Sequence, residues 1–180
     1  AYYTDSVRPV SSSISSDQLT RKGWSELPAT KIEVEHIEQI LHAQKYATHT
    51  FMSDEGNEEA FKALSGKENT IMHIATHGFY LNQKQAERTD ITFMQTNAGD
   101  SHTYPLRRCG LIFSGGQHAW LGEDIPMETE DGILTAEEIA GMDLSNTDLL
   151  VLSACQTGLG DVTSEGVYGL QRGFKIAGVN

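Results

Sequence analysis

One histidine and one cysteine stand where covalent chemistry is easiest to build. His77 follows the apolar run Thr70-Ile71-Met72-His73-Ile74-Ala75, and Cys155 follows Asp148-Leu149-Leu150-Val151-Leu152-Ser153. A cysteine attacks a carbonyl as the thiolate, and a neighbouring imidazole can take its proton or steady the anion. The two residues are far apart in the sequence, so only the fold can bring them together. Small residues flank both: Gly78 after the histidine, Ala154 before the cysteine, Thr157 and Gly158 after it. Such flanks let a substrate backbone approach closely. Backbone N–H groups near Gly78 and Cys155 could then receive a developing oxyanion, a task that needs no particular side chain. Each residue also has a plainer reading, the cysteine as a small buried hydrophobe and the histidine as a hydrogen-bonded residue at a strand end. Residue type and spacing leave both readings open.

The elements that would have to position this pair follow from periodicity. Residues 1–26, with Ser11-Ser12-Ser13-Ile14-Ser15-Ser16, have no core-forming run and read as a linker or N-terminal extension. Order is expected to start near Leu27-Pro28-Ala29-Thr30. There Thr30 and Glu33 make a capping-box pattern, followed by Val34, Ile37 and Leu41 at helical spacing. Residues 47–52 have the composition of a short strand, and 57–64 that of a second helix closed by Gly66. The runs before His77 and Cys155 predict strands that stop abruptly at small polar residues. Between them, residues 81–105 are polar and irregular and read as a long surface excursion. Residues 109–116 predict a strand running into a turn. Thr135 and Glu138 form another capping box, and Ser164 is placed to cap a last helix bearing Val167, Leu170, Phe174 and Ala177 on one face. Gly169 and Gly173 on that helix would let it come close to a sheet. Alternating strands and helices, the strands apolar on both faces, predict a mainly parallel sheet covered on both sides. In such a sheet function collects at the carboxyl ends of the strands, and both candidate residues lie at such ends.

The remaining features narrow the chemistry. The chain has 180 residues, 13 Lys+Arg against 25 Asp+Glu, and a formal net charge of -12. That charge argues against a nucleic-acid backbone as partner. No apolar run approaches membrane-spanning length. Two cysteines, Cys109 and Cys155, make no disulfide framework and suit a reducing cytoplasm. His73 and His77 have an H-x-x-x-H spacing, but the run around them favours a strand and no Glu lies between them. Gly158-Leu159-Gly160 follows a strand without the Gly-Lys-Ser/Thr of a phosphate loop. Asp161, Glu165 and the cluster Glu128-Thr129-Glu130-Asp131 read first as solvated surface, and alternatively as acceptors for a basic substrate side chain.

His73-Ile74-Ala75-Thr76-His77-Gly78-Phe79-Tyr80 resembles the histidine motif of CHAT domains, caspase-like peptidases often attached to tetratricopeptide repeats. Leu149-Leu150-Val151-Leu152-Ser153-Ala154-Cys155-Gln156-Thr157-Gly158 resembles their cysteine motif. Three further segments match in order: Leu27-Pro28-Ala29-Thr30 with its acidic helix, Gly132-Ile133-Leu134-Thr135-Ala136-Glu137-Glu138-Ile139, and Glu165-Gly166-Val167 with its helix. The resemblance covers residues 27–180, with 81–105 as an unmatched insertion. It implies a caspase-like three-layer α/β/α sandwich and a clan CD cysteine endopeptidase. It assigns Cys155 as nucleophile, His77 as general acid and base, and the N–H groups of Gly78 and Cys155 as oxyanion donors. His73 has no catalytic part in the motif and is expected to pack. No metal and no organic cofactor is implied. The implied partners are a protein substrate and repeat or other regulatory domains of the parent chain, with neither nucleic acid nor membrane contacted. The family pattern continues into another core strand where this sequence reaches Gly178-Val179-Asn180. The domain is therefore expected to be truncated at both ends, with 27–180 a C-terminally incomplete core. A catalytically silent, caspase-like interaction module is the alternative.

Overall fold

The structure, a computed structural model, describes residues 23–81, 105–154 and 165–179. Helix α1 (Pro28–Ala43) starts two residues before the expected cap. Pro28 stands in its first turn, where a fixed φ and a missing N–H cost nothing. Thr30 is therefore inside the helix and donates its hydroxyl to Leu27 O at 2.7 Å. The expected Thr30–Glu33 capping box does not form, and Glu33 is free to reach elsewhere. Helix α2 (Glu58–Lys62) is capped by Asn57, whose Oδ1 accepts from Ala60 N. Residues 47–52 join no sheet. Thr48 Oγ1 bonds His42 Nε2 and Thr50 Oγ1 donates to Glu38, which ties the segment back to α1. A cavity of about 810 Å³ is lined by this segment, α1, α2 and β1.

Strands β1 (Ile71–Ala75) and β2 (His77–Tyr80) are separated only by a bend at Thr76. Strand β3 (Cys109–Ile112) leads through a turn into the short helix α3 (Gly116–Leu121), which the sequence reading did not anticipate. Strand β4 (Ile133–Thr135) runs directly into α4 (Ala136–Ala140), with the Thr135–Glu138 capping box in place. Strand β5 (Leu149–Ser153) and helix α5 (Glu165–Ile176) complete the described elements. The fold is α/β. Among the described residues its parallel part is the pair β1–β5, beside an antiparallel sheet in the order β2-β3-β4. The antiparallel arrangement arises because the chain does not leave the sheet at His77 but turns at Thr76 into a second strand. The excursion expected at 81–105 and the cap at Ser164 lie outside the described residues, apart from Leu81 and Pro105.

The core explains the spacing of the apolar residues. Met72 and Ile74 of β1 face Leu170 and Phe174 of α5, and Ala177 just beyond it, in one buried cluster, while α1 lies across the other side of β1. Strand β3 is buried on both faces: Leu111 enters that cluster and Ile112 a second one with Phe79 and Ile133. Such alternation is the period-2 geometry of a strand. The two glycines of α5 allow the close approach expected of them. A Cβ at Gly169 would lie 2.7 Å from Cys109 Sγ, and one at Gly173 2.7 Å from Ala136 O. Among the described residues no helix is long and apolar enough to cross a membrane.

Candidate active site

The site grows from Thr76, which is fully buried. Its N–H reaches Ser153 O at 3.3 Å and its hydroxyl donates to Ile112 O. One residue thus joins the carboxyl ends of β1, β5 and β3. Strands β1 and β5 are parallel neighbours with Ala75 opposite Ser153. The two strand ends singled out in the sequence therefore lie side by side.

His77 opens β2 opposite Ile112, and Gly78 stands opposite Leu111. The imidazole is buried, 4% exposed. Its Nε2 lies 2.6 Å from Ser25 O. A carbonyl oxygen can only accept, so Nε2 carries the proton and Nδ1 holds the lone pair. Burial lowers the pKa of His77 below 6.5, partly offset by the Ser25 carbonyl, which favours the protonated ring. The ring is neutral at neutral pH and able to act as a base.

The segment that orients His77 was read from the sequence as the end of the extension. Trp24 stacks on the imidazole with ring centroids 4.9 Å apart, and on Trp120 at 5.0 Å. Trp24 N donates to Oε1 of the buried Gln117 at 2.6 Å. A Cβ at Gly23 would lie 2.2 Å from Gln117 Nε2, so any larger residue there would push the Gln117 amide aside. Trp24 and Ser25, which touch His77, and Gln117, which holds Trp24, are contacts that the sequence alone does not reveal. A tryptophan beside a glycine was the available signal that residues near 24 belong to a core. For Gln117 the sequence carries none.

Cys155, the expected nucleophile, lies outside the described residues, as does the Gly158-Leu159-Gly160 loop. Cys109 is described and is a poor candidate for chemistry. It is 1% exposed, its Sγ is 3.5 Å from Pro105 O, and burial pushes its thiol up to about 12. His73 sits on a strand, so the H-x-x-x-H spacing is not helical. The bend at Thr76 breaks the alternation that would have put His73 and His77 on one face. His73 instead meets Glu33 of α1 at 3.1 Å.

The carboxylates close enough to share a cation, among the described residues, are Glu58, Glu130 and Glu138. Lys62 Nζ already stands among them at 2.7, 3.0 and 3.0 Å. Glu130 is thereby engaged within the protein, and Asp131 Oδ1 accepts from Ile133 N. These two are not left as free acceptors for a basic substrate side chain. Asp161 and the side chain of Glu165 fall outside the description.

The model of the CHAT domain family matches residues 5–180. The match begins within the stretch read as an extension and takes in Trp24 and Ser25. No curated protein and no solved structure matches the chain.

Proposed function

Because the chain belongs to the CHAT domain family, we propose that it is a cysteine endopeptidase acting on a specific protein partner, with Cys155 as nucleophile and His77 as general acid and base. The observation that carries this reading is the parallel register of β1 and β5. With Ala75 opposite Ser153, His77 and Cys155 each follow two residues after adjacent points on one rim. The tautomer of His77 supports the same assignment. With its Nε2 proton held on Ser25 O, the lone pair available to a thiol is on Nδ1.

In the reaction, Nδ1 takes the Cys155 proton and the thiolate sulfur adds to the scissile carbonyl carbon. The N–H groups of Gly78 and Cys155 donate to the oxyanion. The amine departs with the proton returned by His77, leaving a thioester. Water that loses a proton to His77 then hydrolyses the thioester, releasing the acid and restoring the thiol. No metal or organic cofactor is needed at any step. Tetratricopeptide-repeat or other regulatory domains of the parent chain select the substrate.

The test is covalent labelling of the full-length protein with a cysteine-directed peptide probe. Labelling is expected to vanish in Cys155→Ala and His77→Ala and to persist in Cys109→Ala. Equal labelling of the wild type and His77→Ala would mean that Cys155 is merely accessible. The protein would then be read as an interaction module.

A further inference from the structure

Helix α1 carries one carboxylate that touches both strands leading into the site. Glu33 Oε1 lies 3.1 Å from His73 Nε2 on β1, and Oε2 accepts from Ser153 Oγ on β5 at 2.9 Å. In the register His73 stands opposite Val151, and Ser153 opposite Ala75. The single side chain therefore spans a helix and two parallel strands, reaching positions two apart in the register. Among the described residues, the last backbone bond between these strands is the one from Thr76 N to Ser153 O. At 3.3 Å it is longer than a well-made N–H···O bond. Ser153 is thus held from two sides, its carbonyl by Thr76 and its hydroxyl by Glu33.

We propose that Glu33 is a positioning residue for the reaction, a carboxylate clip that fixes the carboxyl end of β5 against β1 and so sets the approach of Cys155 to His77. The inference rests on the peptidase reading. Sliding β5 along β1 carries the residues beyond Ser153 with it. A misplacement of about 1 Å between reacting groups can cost about a hundredfold in rate. A second loose strand end is what the clip prevents. Its chemistry also predicts which replacement is tolerated. Glutamine has the same reach with one donor and one acceptor group, and a hydroxyl and an imidazole can each serve in either role.

The test compares Glu33→Ala, Ser153→Ala and Glu33→Gln in the full-length protein. The readouts are the maximal inactivation rate and the half-saturating concentration of the peptide probe, per titrated site, alongside melting temperature. Glu33→Ala is expected to lose about tenfold to a hundredfold in rate, with the half-saturating concentration little changed. Ser153→Ala, a change of one atom that keeps the helix intact, should lose part of the rate. Glu33→Gln should restore most of it. A lower melting temperature with unchanged rate per titrated site in both alanine variants would reduce Glu33 to a structural residue and overturn the proposal. Labelling that is the same in wild type and His77→Ala would instead bring down the peptidase reading, and the role of Glu33 with it.

Discussion

Replacing Gln117 by methionine tests whether the N-terminal strap orients His77, the proposed catalytic base. Methionine keeps the volume of the buried side chain and removes the acceptor that Trp24 N–H uses at 2.6 Å. A backbone N–H left without its partner in this half-buried setting costs about 1–2 kcal/mol. For a chain of 180 residues that corresponds to a fall in melting temperature of about 3–6 °C. The effect on His77 is separate and carries a sign. The Ser25 carbonyl raises its pKa against the larger lowering by burial. Loosening the strap removes both the Ser25 partner and the Trp24 cover over the ring, and because burial is the larger influence the pKa rises back toward 6.5. The acid limb of the labelling rate against pH should therefore move to higher pH in Gln117→Met, while the rate at its plateau drops about tenfold as the imidazole loses its fixed orientation. Stability follows the same linkage. A histidine whose folded pKa lies below 6.5 destabilises the fold as pH falls from 6.5 through that folded value. A shallower depression narrows the pH range over which this loss occurs. The assay is probe labelling from pH 5 to pH 8, on roughly that range, with melting curves at each point. A variant that melts lower yet keeps the wild-type acid limb and plateau would show that the strap stabilises the fold without orienting the histidine.

Two further outcomes follow from other buried groups. In a Cys155→Ala background, Cys109 should stay unreactive toward a thiol reagent at about pH 8 until denaturant is added, because its thiol is buried and pushed up to about 12. Fast reaction in the native state would refute the packing described for β3. Glu58 is 1% exposed, and burial raises its pKa from 4.5 to about 7 although Lys62 and Gly132 N both favour its ionised form. The folded state then holds a proton that the unfolded state releases between these values, so this group's contribution declines as pH rises from 4.5 to 7. The loss is at most about 3 kcal/mol. Measured as the difference between wild type and Glu58→Gln, the decline should be absent from the variant, and parallel melting profiles would contradict it.

The large elements were legible because their signals are local. The runs ending at Ala75 and Ser153 are strands, Thr135–Glu138 is a capping box, and the two glycines of α5 sit where a Cβ would strike Cys109 and Ala136. Where the reading failed, a local signal met a partner that sequence spacing does not reveal. Thr30 and Glu33 satisfy a capping-box pattern, but Pro28 starts the helix earlier and the carboxylate turns to the sheet. Residues 47–52 have strand composition, yet their threonine hydroxyls bond α1. Strand β2 was hidden because Thr76-His77-Gly78 looks like the end of a strand rather than a bend between two. Trp24, Ser25 and Gln117 form a contact between segments roughly ninety positions apart, which no periodicity encodes.

These long-range contacts also account for how a small α/β core can orient a buried histidine. His77 lies at the seam between a parallel pair and an antiparallel sheet, and neutral groups make several of the contacts that shape it. Thr76 ties Ser153 and Ile112, Ser25 O holds the imidazole, and Gln117 holds Trp24. The charged groups stand one layer out: Glu33 on the α1 side, and the Lys62 cluster joining α2 to α4. Neutral donors and acceptors fix the tautomer of a buried imidazole without adding a charge that would hold its proton. A carboxylate bonded directly to His77 Nε2 would raise its pKa and oppose the effect of burial. The backbone carbonyl is the weaker partner and only partly offsets burial, so the ring stays neutral with its lone pair on Nδ1.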